Sequence, residues 1–188
     1  MHHVSSHLAA TLLTALLALG VLQPAQARPL TEDEAEALDK AVSRYLSASG
    51  SKNAEGIVAA IPPRVLNVFA GAYGIEAKNL DKTLIEQTAA MMKQASFSDL
   101  TSDQTALDAA DVAMADGTAV TWVIVPTAFT AETKGNKTRN EQPLLALNEG
   151  GKWYFMRIEG EEVRKIVAFA YPFLAEAVLP EARVTPIP

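Results

Sequence analysis

The sequence predicts an α+β domain: N-terminal helices packed on a strongly curved antiparallel meander sheet, closed by a C-terminal helix. Three observations carry this. Apolar residues recur at helical spacing from Ala35 to Met92. From Ser96 the pattern changes to strand-like runs separated by turn dipeptides. Helical spacing then returns at Glu161.

The elements follow in order. Thr31-Glu32-Asp33-Glu34 is a capping-box pattern, and Ala35, Leu38, Val42, Tyr45 and Leu46 behind it define a first helix over about 32–48. Asn53 suits the cap of a short helix carrying Ile57, Val58 and Ile61. Pro62-Pro63 ends that helix, and Pro63 fits the first turn of the next, which stops near Gly74. A fourth helix, from about Asn79, places Leu84, Ile85, Thr88, Met91 and Met92 on one face.

Asp116-Gly117, Gly135-Asn136 and Gly150-Gly151 then delimit four strands, roughly 97–114, 118–132, 138–148 and 152–159. Asp116-Gly117 reads as a type I′ turn, in which both central residues take positive φ. The first two spans are long for strands, so the sheet is expected to bend, with Pro126 marking a break in the second. The last helix runs from Glu161 to about Ala170, where Tyr171-Pro172 closes it.

Composition excludes whole classes of chemistry. The chain has 188 residues, no cysteine, three histidines and a formal charge of −6. Leu8 to Leu22 is almost wholly apolar, and Ala25-Gln26-Ala27 follows as a small-x-small cleavage site. The run is shorter than the about 20 residues of a bilayer span. Residues 1–27 are therefore expected to be a cleavable signal peptide, residues 28–178 a single domain, and 179–188 an extended, partly mobile tail. The expected location is periplasmic or secreted, with no stable membrane insertion after cleavage.

All three histidines, His2, His3 and His7, lie in the leader. The remaining domain can build neither a histidine-based triad nor a histidine-ligated metal site, and it has no cysteine nucleophile. The acids Asp99, Asp103, Asp108 and Asp111 lack the spacing of a calcium loop. No metal and no cofactor is expected. The acidic balance also argues against nucleic acid as a partner. Asn136-Lys137-Thr138 matches a glycosylation sequon but reads here as a hairpin turn.

Asn53-Ala54-Glu55-Gly56-Ile57-Val58 with Pro62-Pro63-Arg64-Val65, the turn Gly150-Gly151-Lys152-Trp153-Tyr154-Phe155, and Ala170-Tyr171-Pro172-Phe173 resemble stretches of the nuclear transport factor 2-like superfamily, the last those of exported bacterial members of unassigned function. The resemblance implies a cone-shaped fold with a pocket between sheet and helices, and often a dimer formed through the sheet. It implies no activity, since function resides in the site and not in the fold.

Six residues are candidates for a ligand pocket. Trp122 and Trp153 either line it or pack the core. Arg157, late in an apolar strand, either holds a ligand carboxylate or pairs with Glu159 or Glu161. Tyr73, Tyr154 and Tyr171 are possible pocket hydroxyls. The strands around Trp122 and Trp153 are apolar on both faces, so the second face must be covered by the C-terminal helix or by a second copy in a homodimer. The function expected is non-catalytic binding of a small apolar ligand or a protein partner. The alternatives are an isomerase or lyase using Tyr and a carboxylate, and an accessory subunit of a cell-envelope assembly.

Overall fold

The computed structural model describes residues 27–188, so the expected leader lies outside the described residues apart from Ala27. Their architecture is α+β: five α-helices and an open, wholly antiparallel sheet of seven strands. The chain runs β1 (Ala27–Pro29), α1 (Glu32–Gly50), α2 (Ala54–Val58), α3 (Pro63–Tyr73) and α4 (Ala77–Met92). It continues through β2 (Ser96–Ser102), β3 (Asp108–Ala113), β4 (Ala119–Thr133), β5 (Asn136–Glu149) and β6 (Lys152–Arg157). Helix α5 (Gly160–Ala170), the 3₁₀ turn η1 (Pro172–Leu174) and β7 (Arg183–Ile187) complete it. None of the described helices is long and apolar enough to cross a membrane.

The helix boundaries follow local chemistry. The capping box is complete: Glu34 N donates to Thr31 Oγ1 at 3.2 Å, and Thr31 N donates to the Glu34 carboxylate at 2.8 Å. The Asn53 side chain accepts from Gly56 N and starts α2. Pro63 opens α3, and Gly74, at φ 63°, ends it in the left-handed conformation that a Cβ disfavours.

A long β4–β5 hairpin is the spine of the sheet, paired continuously from Val120–Glu149 to Thr133–Asn136. The span expected as one strand over 97–114 is instead two. β3 flanks the first part of β4, and β2 flanks the second, so both occupy the same edge. On the other edge β6 pairs with Leu144–Glu149, and β7 pairs with Lys137–Glu141. The C-terminal residues are thus tied into the sheet.

Pro126 does not break its strand. It stands opposite Pro143 within the continuous hairpin. β3 pairs as far as Val123 and β2 begins at Thr127, while β6 reaches Leu144 and β7 begins at Glu141. Each proline, which has no N–H to donate, falls where its outer neighbour changes.

The turn chemistry also differs from expectation. At Asp116-Gly117 only Gly117 has positive φ (84°), and Gly117 N donates to Met114 O at 2.9 Å. This is a type I turn followed by a left-handed glycine. Two-residue turns with both central φ positive lie instead at Lys134-Gly135 (53° and 82°) and at Gly150-Gly151 (59° and 83°).

Both faces of the sheet are covered. Val123, Val125, Leu144, Ala146, Trp153 and Phe155 pack against Leu38, Ala41, Val42 and Tyr45 of α1. Val120, Leu145, Leu147 and Met156 face the other way, onto Val65 of α3, Val167 and Ala170 of α5, and Tyr171 and Leu174. Of the two coverings open to the sequence, the chain's own C-terminal helix and 3₁₀ turn occupy this face.

Candidate functional site

The site residues expected from sequence fall in five different places. Tyr73, at the end of α3, is 55% exposed and donates to Glu162 at 2.7 Å. Trp153 is buried in the α1 core. Trp122 and Tyr171 belong to the opposite core, where Phe173 joins them at ring-centroid distances of 6.0 and 5.9 Å. Tyr154 lines a small cleft with Glu55, Ile61, Leu66 and Ile85, and Lys152 Nζ sits 4.6 Å from its ring centre. Arg157 opens into a separate cavity between sheet and helices.

That cavity has a volume of about 350 Å³, within the range typical of small-molecule sites. It lies on the α1 side of the sheet. Its walls are Tyr45 and Ser49 of α1, Ile57 of α2, Thr88, Met91 and Met92 of α4, and Phe97 and Leu100 of β2. Its floor is Phe129 and Ala131 of β4 and Asn140 and Gln142 of β5. Arg157 and Glu159 close one end. The lining is mostly apolar; Asn140, Gln142, Arg157 and Glu159 bring polar side chains from β5 and the end of β6, and Ser49 and Thr88 bring hydroxyls from the helices.

Strand register builds the polar cluster. Gln142 pairs with Thr127, whose buried hydroxyl donates to Gln142 O at 2.7 Å, and Asn140 pairs with Phe129. Arg157, opposite Leu144, reaches along the sheet beyond the end of β6. Its guanidinium carbon sits 4.6 Å from the centre of the Phe129 ring, and Nη1 donates to Gln142 Oε1. Asn140 Nδ2 is held by Thr138 O and Oγ1 at 3.1 and 2.9 Å. Phe97 meets Phe129 edge-on at 5.7 Å, and Tyr45 lies 5.2 Å from Phe155.

Gln142 and Asn140 are more than nine-tenths buried. Arg157 makes no ion pair among the described residues, and neither Glu159 nor Glu161 is its partner. Its Nε and Nη2 have no protein partner there, and they are not sealed from solvent. The cavity therefore carries a guanidinium with no carboxylate at ion-pair distance among the described residues, although Glu159 lines the same cavity.

Helix α4 explains why this cavity is open. Its expected apolar face is only partly covered: Met92 is buried, Leu84, Ile85 and Thr88 are half-buried, and Met91 is 66% exposed. The helix packs on α2 and α3 and places Thr88, Met91 and Met92 along the cavity wall.

On the opposite face, Tyr171 is fully buried and its hydroxyl makes no hydrogen bond. Burial first, and the nearby Glu149 carboxylate second, push its pKa well above the ordinary value. Glu149 is itself engaged by Arg64, which also donates to Asp116 at 2.7 Å. Tyr154 makes no hydrogen bond to a carboxylate among the described residues; the Tyr171 hydroxyl makes none of ordinary length but lies close enough to the Glu149 carboxylate to be influenced by it. No group of three or more metal-ligating side chains occurs among them.

Arg157 stands out in the sequence as a cavity residue, whereas Gln142 and Asn140 do not. Arg139-Asn140-Glu141-Gln142 is polar at every position, so no alternation distinguishes the cavity face from the solvent face. The only available signal is parity with the apolar Leu144 and Ala146, two and four residues after Gln142 on the same face. No family model, curated protein or solved structure matches the chain.

Proposed function

We propose that this protein is a binding module that takes a small, predominantly apolar ligand into the cavity between α1, α4 and the sheet. The observation that carries the reading is the cavity itself: about 350 Å³ bounded mainly by Phe, Met, Leu, Ile and Tyr side chains, with a few polar groups among them. An apolar ligand gains by leaving water for such a surface, and a few fixed polar groups orient it. The α+β arrangement, with a cavity between helices and sheet, also supports the resemblance to the nuclear transport factor 2-like superfamily. Export, proposed from the leader sequence, would place the binding activity outside the cytoplasm.

Filling the cavity tests the reading. Ala131, on the floor, is half-buried, and A131F would occupy ligand space without removing a polar group. A neutral polarity-sensitive dye such as Nile red is expected to bind the wild type and to bind A131F at least about tenfold more weakly. Equal dye affinity in the two proteins, with unchanged circular dichroism, would move the binding site elsewhere.

A further inference from the structure

We propose that the ligand is an aliphatic carboxylic acid bound as its anion, with the carboxylate on Arg157 and Gln142 and the chain among Phe129, Met91 and Leu100. This rests on the reading of the cavity as an apolar-ligand site and names the chemistry of its occupant.

A guanidinium carries five N–H donors and a primary amide carries two. Arg157 spends one hydrogen bond on Gln142 Oε1, and its Nε and Nη2 keep theirs. Gln142 Oε1 accepts from Arg157, and its Nε2 makes no hydrogen bond among the described residues. Gln142 is nevertheless 92% buried (8% exposed), and its backbone is fixed by Thr127. The head of the site is thus a pre-positioned set of donors around one positive charge.

A carboxylate matches that set. Two coplanar oxygens can accept from a guanidinium in parallel, and the bonds are charge-assisted. A cationic ligand would be repelled by Arg157. A neutral one would leave the guanidinium without a counterion beside an apolar lining, which is costly. The opposing groups do not cancel the argument. Glu159 is exposed and makes no ion pair with Arg157, and the other acceptors in the lining, Asn140 Oδ1 and the Ser49 and Thr88 hydroxyls among them, are neutral. The volume, near the lower end for small-molecule sites, limits the tail to a short or medium chain.

Octanoate and octanol share a chain and differ in the head, so titration calorimetry with both separates the two levels of the proposal. The wild type is expected to bind octanoate at least about tenfold more tightly than octanol. R157Q is expected to weaken octanoate roughly 10- to 100-fold and octanol at least about fivefold less. R157K, which keeps the charge but loses the fork, should fall between. Equal binding of octanoate and octanol by the wild type, or octanoate binding unaffected in R157Q, overturns the carboxylate proposal while the apolar-ligand reading stands. Binding of neither octanoate, octanol nor the neutral dye removes both. Should R157Q fail to fold, the wild-type preference between the two ligands decides alone.

Discussion

At the scale of single residues, two arginines do different jobs in this chain. Arg28 is saturated. Its guanidinium holds Glu34 through two hydrogen bonds of 2.7 and 2.8 Å and Asp111 through two of 2.5 and 2.9 Å. It thereby ties the capping box of α1 to β3. Arg157 keeps donors unpaired in a cavity. The Arg28 cluster makes a prediction about acid stability. The hydrogen bond from Arg28, with help from Thr31, lowers the Glu34 carboxyl from its ordinary 4.5 to about 2. The folded-state value lies below the unfolded one, so the stabilisation is complete above about pH 4.5 and is lost as pH falls towards 2. E34Q is expected to lower the melting temperature at pH 7, by about 1–2 kcal/mol of stability. It should also flatten the decline between pH 4.5 and 2. Parallel melting curves for mutant and wild type across that window would show that Glu34 is not the acid-sensitive group.

At the scale of elements, the helices are unequal. α1 has a full capping box and buries Leu38, Ala41, Val42, Tyr45, Ala48 and Ser49. In α4, Leu80 and Met92 are buried, and the residue before the helix, Glu76, gives no side-chain cap. Local opening free energy follows burial and capping. Amides of α4 are therefore expected to exchange with deuterium at least about tenfold faster than those in the middle of α1. Because Thr88, Met91 and Met92 line the cavity, saturating octanoate should slow α4 exchange selectively. Equal protection of α1 and α4 in the free protein would show that α4 is as firmly held as the core helix. The strands show the same dependence on neighbours. Pro126 and Pro143 are tolerated in the centre of the longest hairpin because the flanking strands change there.

At the scale of the whole molecule, the fully covered sheet bears on assembly. Two-sided apolar strands called for a second layer, and α3, α5 and η1 provide it from the same chain. With both sheet faces so covered, a second copy docking on that face would meet helices and not strands. Sedimentation velocity at micromolar concentration is expected to show a monomer. A dimer would require another surface, and the exposed Phe169 on the outer side of α5 (78% exposed) is where a Phe169→Ser change would test it.

Elements whose signals are local can be read along the chain. The capping box at Thr31–Glu34, Asn53 before α2, Pro63 in α3 and Gly74 at its end act within four residues of their partners. The sequence by itself also settles that histidine and cysteine chemistry are absent from residues 28–188. Tertiary structure alone decided which strand faces share a cavity. A polar run such as Arg139 to Gln142 has no internal phase, and a shift of one residue would exchange its faces. The phase is set at a distance, by pairing with Thr127 and Phe129 and by Arg157 arriving from β6. The same long-range packing placed Trp122 and Tyr171 on one side of the sheet and Arg157 on the other. Apolar side chains are equally at home in either core, and only strand register distinguishes the two.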